Sequence, residues 1–362
     1  MLYFLSFIIF LHGVLHLLGF TNAFAIGALA KLDSHIPKPI GIIWLGVALM
    51  FFFTAFLIIL DSPNWWVVSG VALLFSQVLI IGVWEEARFG TILNTIILIV
   101  VVIAWGYSQF ENKFRQDVRH SFTRNITGEE KVTESDLQGL PPPVQKYLRL
   151  SGVLNKPKVK NMHLVFEGQM RERGEDYFSF TSEQYNFFDT PARYFYMKAN
   201  LFGMTVPGYH RFTGGQASMD IRLVGLYPIV RHNGNVMNKT ETVTFFNDMC
   251  LLAPATLIDK RIRWHEIDDR SVEAVFQLEE VVIKAVLYFN EEGRLINFVS
   301  DDRTDINEMK QFPFSTPVSG YEYTNGQLFI TGGQAIWEYP DGKFTYGIFK
   351  VRRIEYNVAE GP

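Results

Sequence analysis

Two histidines near the N-terminus have the residue type and spacing that most suggest chemistry. His12 and His16 are four residues apart, so on a helix both would project from one face about one turn apart. They lie in an apolar segment, where ionisable groups are rare and usually face a bundle interior with a partner. One interpretation is a metal, haem or proton-relay role. The other is a hydrogen bond between helices, for example to Gln77.

The histidine pair by itself does not make a metal site. Zinc needs at least three protein ligands, and no carboxylate or cysteine lies in the same apolar segment. We therefore assign no metal site, keep His12 and His16 only as candidates, and expect no cofactor.

Charged residues scattered among apolar, strand-like segments form a second set of candidates. Asp302 with Arg303 or Arg261 could form a buried ion pair or a pocket for an anionic head group. The structural alternative is a set of salt bridges and caps at loop ends. The candidate ligand-binding residues from this set are Arg231, Glu241, Arg261, Asp302, Arg303 and Trp264, which stands beside His265.

The common catalytic signatures are absent from the sequence. It has no Gly-x-Ser-x-Gly, no phosphate-binding Walker loop, no His-Glu-x-x-His and no Cys-x-x-Cys. The single cysteine, Cys250, excludes an internal disulfide framework. The formal net charge is −4, so no basic field for nucleic acid is present. The sequence names no reaction, and we favour a non-enzymatic protein.

Four apolar blocks fill residues 1–107 and must hold the histidine pair. About 20 apolar residues at 1.5 Å rise cross a hydrocarbon core of roughly 30 Å. The first block could instead be a cleaved signal peptide, but it has no Lys or Arg before Lys31, so we expect a retained helix. The predicted membrane spans are Leu2–Phe20, Ile40–Leu60, Trp65–Trp84 and Ile92–Tyr107.

Basic residues beside the spans do not fix the orientation. Lysines and arginines favour the cytoplasmic side. One side carries Lys113, Arg115, Arg119 and Arg124, and the other carries Lys31, Lys38 and Arg88. These counts are too similar to decide which side holds the C-terminal domain.

Residues 108–362 are predicted to form a linker and one β-rich domain. The linker, residues 108–139, is first basic and then acidic, and the domain spans residues 140–358. Apolar residues alternate at Met162, Leu164 and Phe166, and Asn325-Gly326 suits a hairpin turn. We predict a mainly antiparallel curved sheet or half-barrel with one or two short helices, one of them within Phe246–Lys260.

Two features of this domain have open interpretations. Its dense aromatic residues could fill the sheet core or line an apolar ligand cavity, because both positions point inward. The sequence Thr-Gly-Gly-Gln-Ala occurs at 213–217 and again at 331–335, each time before a strand-like segment. We expect two similar hairpins with a diglycine turn or bulge.

Several short motifs in the soluble region together resemble a bacterial family of unknown function with N-terminal membrane helices. They are Leu140-Pro-Pro-Pro-Val-Gln-Lys-Tyr147, Ala253-Pro-Ala-Thr-Leu-Ile-Asp259, Trp264, Asp301-Asp302-Arg303, Thr316-Pro317, Trp337 and Phe344-Thr-Tyr-Gly347. The resemblance covers residues 138–357. It implies a fold similar to the half-barrel of bacterial lipoprotein carriers, adds Trp337 to the candidate residues, and favours an extracytoplasmic domain. It implies no catalytic role.

Three functional hypotheses follow from the sequence. The preferred one is a membrane-anchored, non-enzymatic binder of an apolar or amphipathic, lipid-like ligand, whose partners are the lipid bilayer and that small molecule. The second is a membrane-bound enzyme with an Asp302/Arg303 or a Glu241/Arg231 site. The third is an envelope module that senses or binds another protein, whose identity the sequence does not give.

Overall fold

The computed structural model describes residues 2–26, 36–123 and 130–362, and the chain divides into two compact units, Met1–Phe110 and Glu111–Pro362. Four helices in the described part of the chain are long and apolar enough to cross a membrane, which confirms the four predicted apolar helices and suits a multi-pass membrane protein. The helices of this region are α1 (Leu2–Ala23), α2 (Lys38–Ile59), α3 (Trp65–Gly82), the short α4 (Trp84–Ala87) and α5 (Gly90–Phe122).

Small residues let the first two helices pack closely. A Cβ at Gly19 would lie 2.2 Å from the indole of Trp44, so only glycine fits there. Ser6 Oγ donates a hydrogen bond to the Ala55 carbonyl at 2.9 Å. Both contacts are typical of helix pairs in lipid, where close packing and interhelical hydrogen bonds replace the hydrophobic effect.

The last membrane-length helix is longer than the sequence pattern predicted. α5 continues to Phe122, so residues 108–122 are helical rather than an extended linker. Lys31, Arg124 and linker residues 124–129 lie outside the described residues.

The second unit contains the sheet and three further helices. The helices are α6 (Glu134–Leu137), α7 (Pro142–Leu150) and α8 (Asn235–Leu252), followed by a 3-10 turn, Pro254–Ile258. The strands are β1 (Asn161–Met170), β2 (Phe178–Phe187), β3 (Ala192–Leu201), β4 (Met204–Thr213), β5 (Gln216–Leu223), β6 (Tyr227–Asn233), β7 (Ile262–Asp268), β8 (Ser271–Leu278), β9 (Val281–Phe289), β10 (Leu295–Ser300), β11 (Thr304–Asp305), β12 (Lys310–Gln311), β13 (Phe314–Ser315), β14 (Val318–Thr324), β15 (Gln327–Tyr339) and β16 (Gly342–Tyr356).

Fourteen of these strands form one curved antiparallel sheet, as predicted. The order is β6-β5-β4-β3-β2-β1-β16-β15-β13-β10-β9-β8-β7, with β14 paired to β15. The first and last long strands, β1 and β16, are neighbours, which joins two meanders into one sheet. The described sheet ends on β6 and β7 and is not closed.

The inner face of the sheet is filled by helices α7 and α8. Met162, Leu164 and Phe166 on β1 point into this core, as their alternation predicted. From α8, Phe246 stacks on Phe276 with ring centroids 4.9 Å apart. α8 begins at Asn235, well before the predicted short helix. The inward aromatic residues therefore pack as a core.

The outer face of β2 to β4 is covered by the last part of α5, residues 111–122. Phe114 is fully buried and stacks on Tyr196 at a centroid distance of 5.4 Å. Asp117 accepts a hydrogen bond from the Tyr209 hydroxyl at 2.9 Å. Since Tyr196 and Tyr209 lie opposite each other on β3 and β4, one helix face contacts both strands.

The repeated Thr-Gly-Gly-Gln-Ala sequence forms two different structures, so the expectation of two similar hairpins was wrong. Gly214 and Gly215 both have positive φ and make the turn between β4 and β5. Gly332 and Gly333 instead lie inside β15, where a Cβ at Gly332 would be 2.3 Å from the Phe349 carbonyl oxygen. The first pair serves a tight turn, and the second permits close approach of neighbouring strands.

Candidate functional site

A buried polar network lies on the inner face of the sheet, between β2, β3, β4 and α8. At its centre, the Arg193 side chain is 7% exposed, and its Nε donates to Asp248 Oδ2 at 2.8 Å. Its Nη1 donates to Glu241 Oε2 at 3.2 Å and its Nη2 to Gln184 Oε1 at 3.0 Å. We call this set the Arg193 network: Arg193, Glu241, Asp248, Gln184, Asn186 and His210.

The remaining members complete the hydrogen bonding of the two carboxylates. Asp248 Oδ2 also accepts from Gln184 Nε2 at 2.8 Å and from Asn186 Nδ2 at 3.0 Å. His210 Nδ1 lies 3.1 Å from Glu241 Oε1. Burial alone would raise the pKa of Glu241, but the hydrogen bond from His210 and the charge of Arg193 lower it to about 2.

This geometry suits an ion pair better than proton transfer. A general acid or base works best when its pKa lies near the operating pH, whereas Glu241 is held ionised. The Arg193 network therefore fixes α8 against three strands and holds Glu241 ionised.

The structure does not bring Glu241 together with Arg231, the arginine that the enzyme hypothesis placed beside it. Arg231 lies on edge strand β6 with its side chain 58% exposed, and its closest acidic neighbour is Asp220, with Nη2 3.8 Å from Oδ2. Arg193 and Asp248 also stand in apolar segments of the sequence, so the criterion used for Glu241, a charged residue within an apolar segment, applies to them as well. That criterion does not predict which charged residues form pairs.

The candidates around Asp302 and Arg261 also separate in the fold. Asp302 accepts from Lys239 Nζ at 2.6 Å and from the Lys284 backbone N–H at 2.7 Å, and Arg303 is not its partner. Arg261 pairs with Asp259 and donates to the Phe188 carbonyl at 2.9 Å. The structural alternative, salt bridges and hydrogen bonds that join neighbouring segments, describes the surroundings of both Asp302 and Arg261.

Arg303 and Trp337 do come together, in an aromatic cluster. The guanidinium carbon of Arg303 lies 3.9 Å from the ring centroid of Phe314, 5.4 Å from Trp337 and 5.9 Å from Tyr346. Such cation–π contacts stabilise a partly desolvated arginine. Trp264 is not part of this aromatic cluster. It packs against the main core of the sheet instead.

The histidine pair in α1 has partners within the helical region. His12 Nε2 lies 2.8 Å from Asn94 Oδ1, and Asn94 Nδ2 in turn donates to Gln77 Oε1 at 3.0 Å. His16 Nδ1 lies 3.0 Å from the His12 carbonyl oxygen. Within the residues that the structure describes, no group of three or more His, Cys, Asp or Glu could hold a metal ion. His12 therefore makes an interhelical hydrogen bond, whereas His16 bonds within α1.

A third histidine, His163 on the outer face of β1, is a local ionic site that the sequence did not reveal. Its two ring nitrogens each lie 3.2 Å from a carboxylate oxygen, of Glu183 and of Glu355. Burial alone would lower the pKa of His163, but the hydrogen bonds with the two glutamates raise it above its ordinary value of 6.5.

This arrangement predicts a pH-dependent stability. A raised folded pKa contributes stability that is fully present below about pH 6.5 and is lost as the pH rises through the folded pKa. Urea unfolding of the full chain in detergent should therefore show the native protein losing stability relative to His163→Gln between pH 6 and pH 9. Parallel stability curves for the two proteins would contradict the charged His163.

An open cleft lies on the outer face of the sheet. This outer cleft has a volume of about 750 Å³ and lies over β1 to β4 and β16. Its lining includes the apolar side chain of Ile348, polar groups of Thr181 and Asn200, and the charged residues Lys198, Lys350 and Glu167, whereas the Phe180 side chain points into the core on the other face. Lys198 Nζ is 2.9 Å from Glu111 Oε2. A smaller cavity of about 290 Å³ lies beside Lys146 and Arg270.

The fold and these sites define a class of protein: membrane-length helices followed by an open antiparallel sheet that is packed around a long buried helix. Over residues 130–349 the chain matches a family described as a family of unknown function (DUF6544), and it belongs to that family. The predicted family resemblance is thereby confirmed.

A solved structure of a LolA superfamily protein from Nitrosomonas europaea is similar over 60% of this chain and 92% of its own. The TM-score is 0.36 and the sequence identity is 8%. A comparison with curated proteins gives no match.

Proposed function

We propose that this is a multi-pass membrane protein whose β domain binds an amphipathic, lipid-like molecule in the outer cleft without transforming it. The cleft carries the proposal, because it combines the exposed apolar side chain of Ile348 with the ammonium groups of Lys198 and Lys350. Its volume of about 750 Å³ lies within the range of roughly 300–1,000 Å³ that is usual for ligand sites. An acyl chain on the apolar lining with an anionic head group at the lysines would use both features.

The packing of helices on the inner face of the sheet supports the outer cleft as the binding site. The sequence suggested that a ligand could lie among the inward aromatic residues, but α7 and α8 occupy that side of the sheet. The carboxylates that a membrane-bound enzyme could use are already paired. Glu241 and Asp248 bind Arg193, and Asp302 accepts hydrogen bonds from Lys239 and from the backbone N–H of Lys284. Binding at the outer face therefore accounts for the described site better than catalysis does.

The test is photocrosslinking in nanodiscs with the full chain and a photoactivatable fatty acid. We expect saturable labelling of peptides from β1 to β3. Thr181→Trp should abolish it by filling the cleft, and Lys350→Glu should weaken apparent affinity about tenfold or more, which corresponds to about 1.4 kcal/mol.

A matched control lies on the same strand as Lys350. Lys343 is exposed on β16 and does not line the cleft, so Lys343→Glu should leave labelling unchanged. Labelling that does not saturate, or that falls equally in the two lysine variants, would refute binding in the outer cleft.

A further inference from the structure

Two neighbouring hairpin tips expose large apolar side chains at one end of the sheet. Phe202, in the turn between β3 and β4, is 98% exposed. Tyr227 and Ile229, which follow the turn between β5 and β6, are 69% and 50% exposed. Met204 and Leu223 flank the same two turns and are also exposed. These five residues, Phe202, Met204, Leu223, Tyr227 and Ile229, are here called the tip patch.

The backbone at both tips makes these residue choices unusual. Phe202 has φ +52° before Gly203, and Val224 has φ +48° before Gly225. Asparagine, aspartate or glycine is preferred at such positions, whereas a bulky or β-branched residue is disfavoured there. Neither its exposure nor its conformation favours a phenylalanine at position 202, and a contact outside the domain would account for it.

The turns at the other end of the same strands differ in chemistry. The turn between β2 and β3 carries Asp189 and Thr190, which are exposed, and the turn between β4 and β5 is Gly214-Gly215. Among strands β3 to β6 the apolar turns therefore lie at one end, where the neighbouring turn between β1 and β2 carries exposed charged residues, Glu172, Arg173, Glu175 and Asp176.

The chain enters the β domain from the end that carries the tip patch. Glu111, the first residue of the unit, pairs with Lys198 near the end of β3. At the other end of this helical segment, Phe122 contacts Phe187 on β2, with ring centroids 5.1 Å apart. The segment thus runs along the sheet away from the tips, and the apolar residues 92–107 precede it in the chain.

The apolar segment ends close to the β domain in the chain. Only three residues lie between Tyr107, where the predicted apolar span ends, and Glu111, which pairs with Lys198 on the strand that leads into the Phe202 turn. The exposed aromatic and apolar side chains at this end of the sheet have the chemistry that is favoured in the head-group region.

We propose that the tip patch inserts into the head-group region of the membrane that the helices cross, and so docks the β domain on the lipid surface. The partner is the bilayer itself. This surface is formed by different residues from the lysines of the outer cleft, and the docking does not depend on whether the cleft binds a ligand.

Fluorescence quenching by lipid tests the proposal with the full chain in phosphatidylcholine nanodiscs. Phe202→Cys, or in a second protein Tyr227→Cys, is labelled with an environment-sensitive dye. The label should be quenched several-fold more strongly when the lipids carry a nitroxide near the head group. Cys250 is buried, and the unsubstituted protein measures any labelling at that site.

The matched control is Thr190→Cys, at the opposite end of β3 from Phe202. A strand of ten residues separates the two positions by about 33 Å, so a label at residue 190 should show little quenching. Equal quenching at residues 190 and 202 would overturn the proposal. Labels at residues 202 and 227 that are shielded from water but not quenched by lipid would also overturn it, since a second copy or another protein would then cover the patch.

Discussion

Replacing Arg193 with methionine should destabilise the β domain by about 3–5 kcal/mol, the usual cost of leaving buried charges without their partner. The substitution keeps an unbranched side chain of similar length but removes three hydrogen bonds, two of them to the carboxylates of Glu241 and Asp248. Both carboxylates are less than a tenth exposed, so water cannot replace the guanidinium. The measurement is urea unfolding of the full chain in detergent, followed by tryptophan fluorescence.

Arg231→Met is the matched control for this experiment. Arg231 is the arginine that the sequence offered as the partner of Glu241, yet its side chain is mostly exposed and lies 3.8 Å from Asp220. Exposed pairs usually contribute less than about 1 kcal/mol, so this variant should unfold almost like the native protein. Similar losses in the two variants, or a loss under about 1 kcal/mol for Arg193→Met, would show that Arg193 does not hold the network.

Gly332→Ala should destabilise the sheet by about 3 kcal/mol, near the upper end of the usual cost of overpacking. Its new Cβ would lie 2.3 Å from the Phe349 carbonyl oxygen, which is backbone of the paired strand and cannot rotate away. β15 and β16 would have to separate locally, which would weaken the middle of the sheet. The thermal unfolding midpoint of the full chain measures this loss.

The same pentapeptide supplies the control. Gly214 occupies the position equivalent to Gly332, but a Cβ there would meet nothing within 4 Å, and the only penalty is its φ of +56°. Gly214→Ala should therefore cost about 1 kcal/mol, the cost of an L-residue in the left-handed region. Equal losses for the two alanine variants would mean that strand approach at Gly332 is not limiting.

The membrane spans and the β-rich domain could be predicted because both depend on repeating local patterns. A span requires only enough consecutive apolar residues, and the blocks that end near Leu60 and Trp84 supply them. A strand with one buried face requires alternation, and Met162, Leu164 and Phe166 show it. The limit of this reasoning is visible in α5, where polar residues continue a helix because Phe114 and Val118 are buried against the sheet.

The candidate sites could be predicted only as sets of residue types. Glu241, Asp302, Arg261 and Arg303 were recognised because charge in an apolar segment is costly and must be compensated. The sequence does not show which opposite charge compensates each of them. Arg193 and Glu241, for example, are 48 residues apart and come into contact only because α8 crosses the inner face. Lys239, rather than Arg303, reaches Asp302 for the same reason.

The sequence alone therefore determined where apolar surface must be hidden: four helices of membrane length, a sheet with one buried face, and a family relationship carried by short motifs. The tertiary structure decided which charges pair, that α8 fills the concave face, and that the outer face of the sheet carries the open cleft. The physical reason is that hydrophobic burial follows local periodicity along the chain. Ion pairing and cavity shape depend on residues that only the fold brings within a few ångströms of each other.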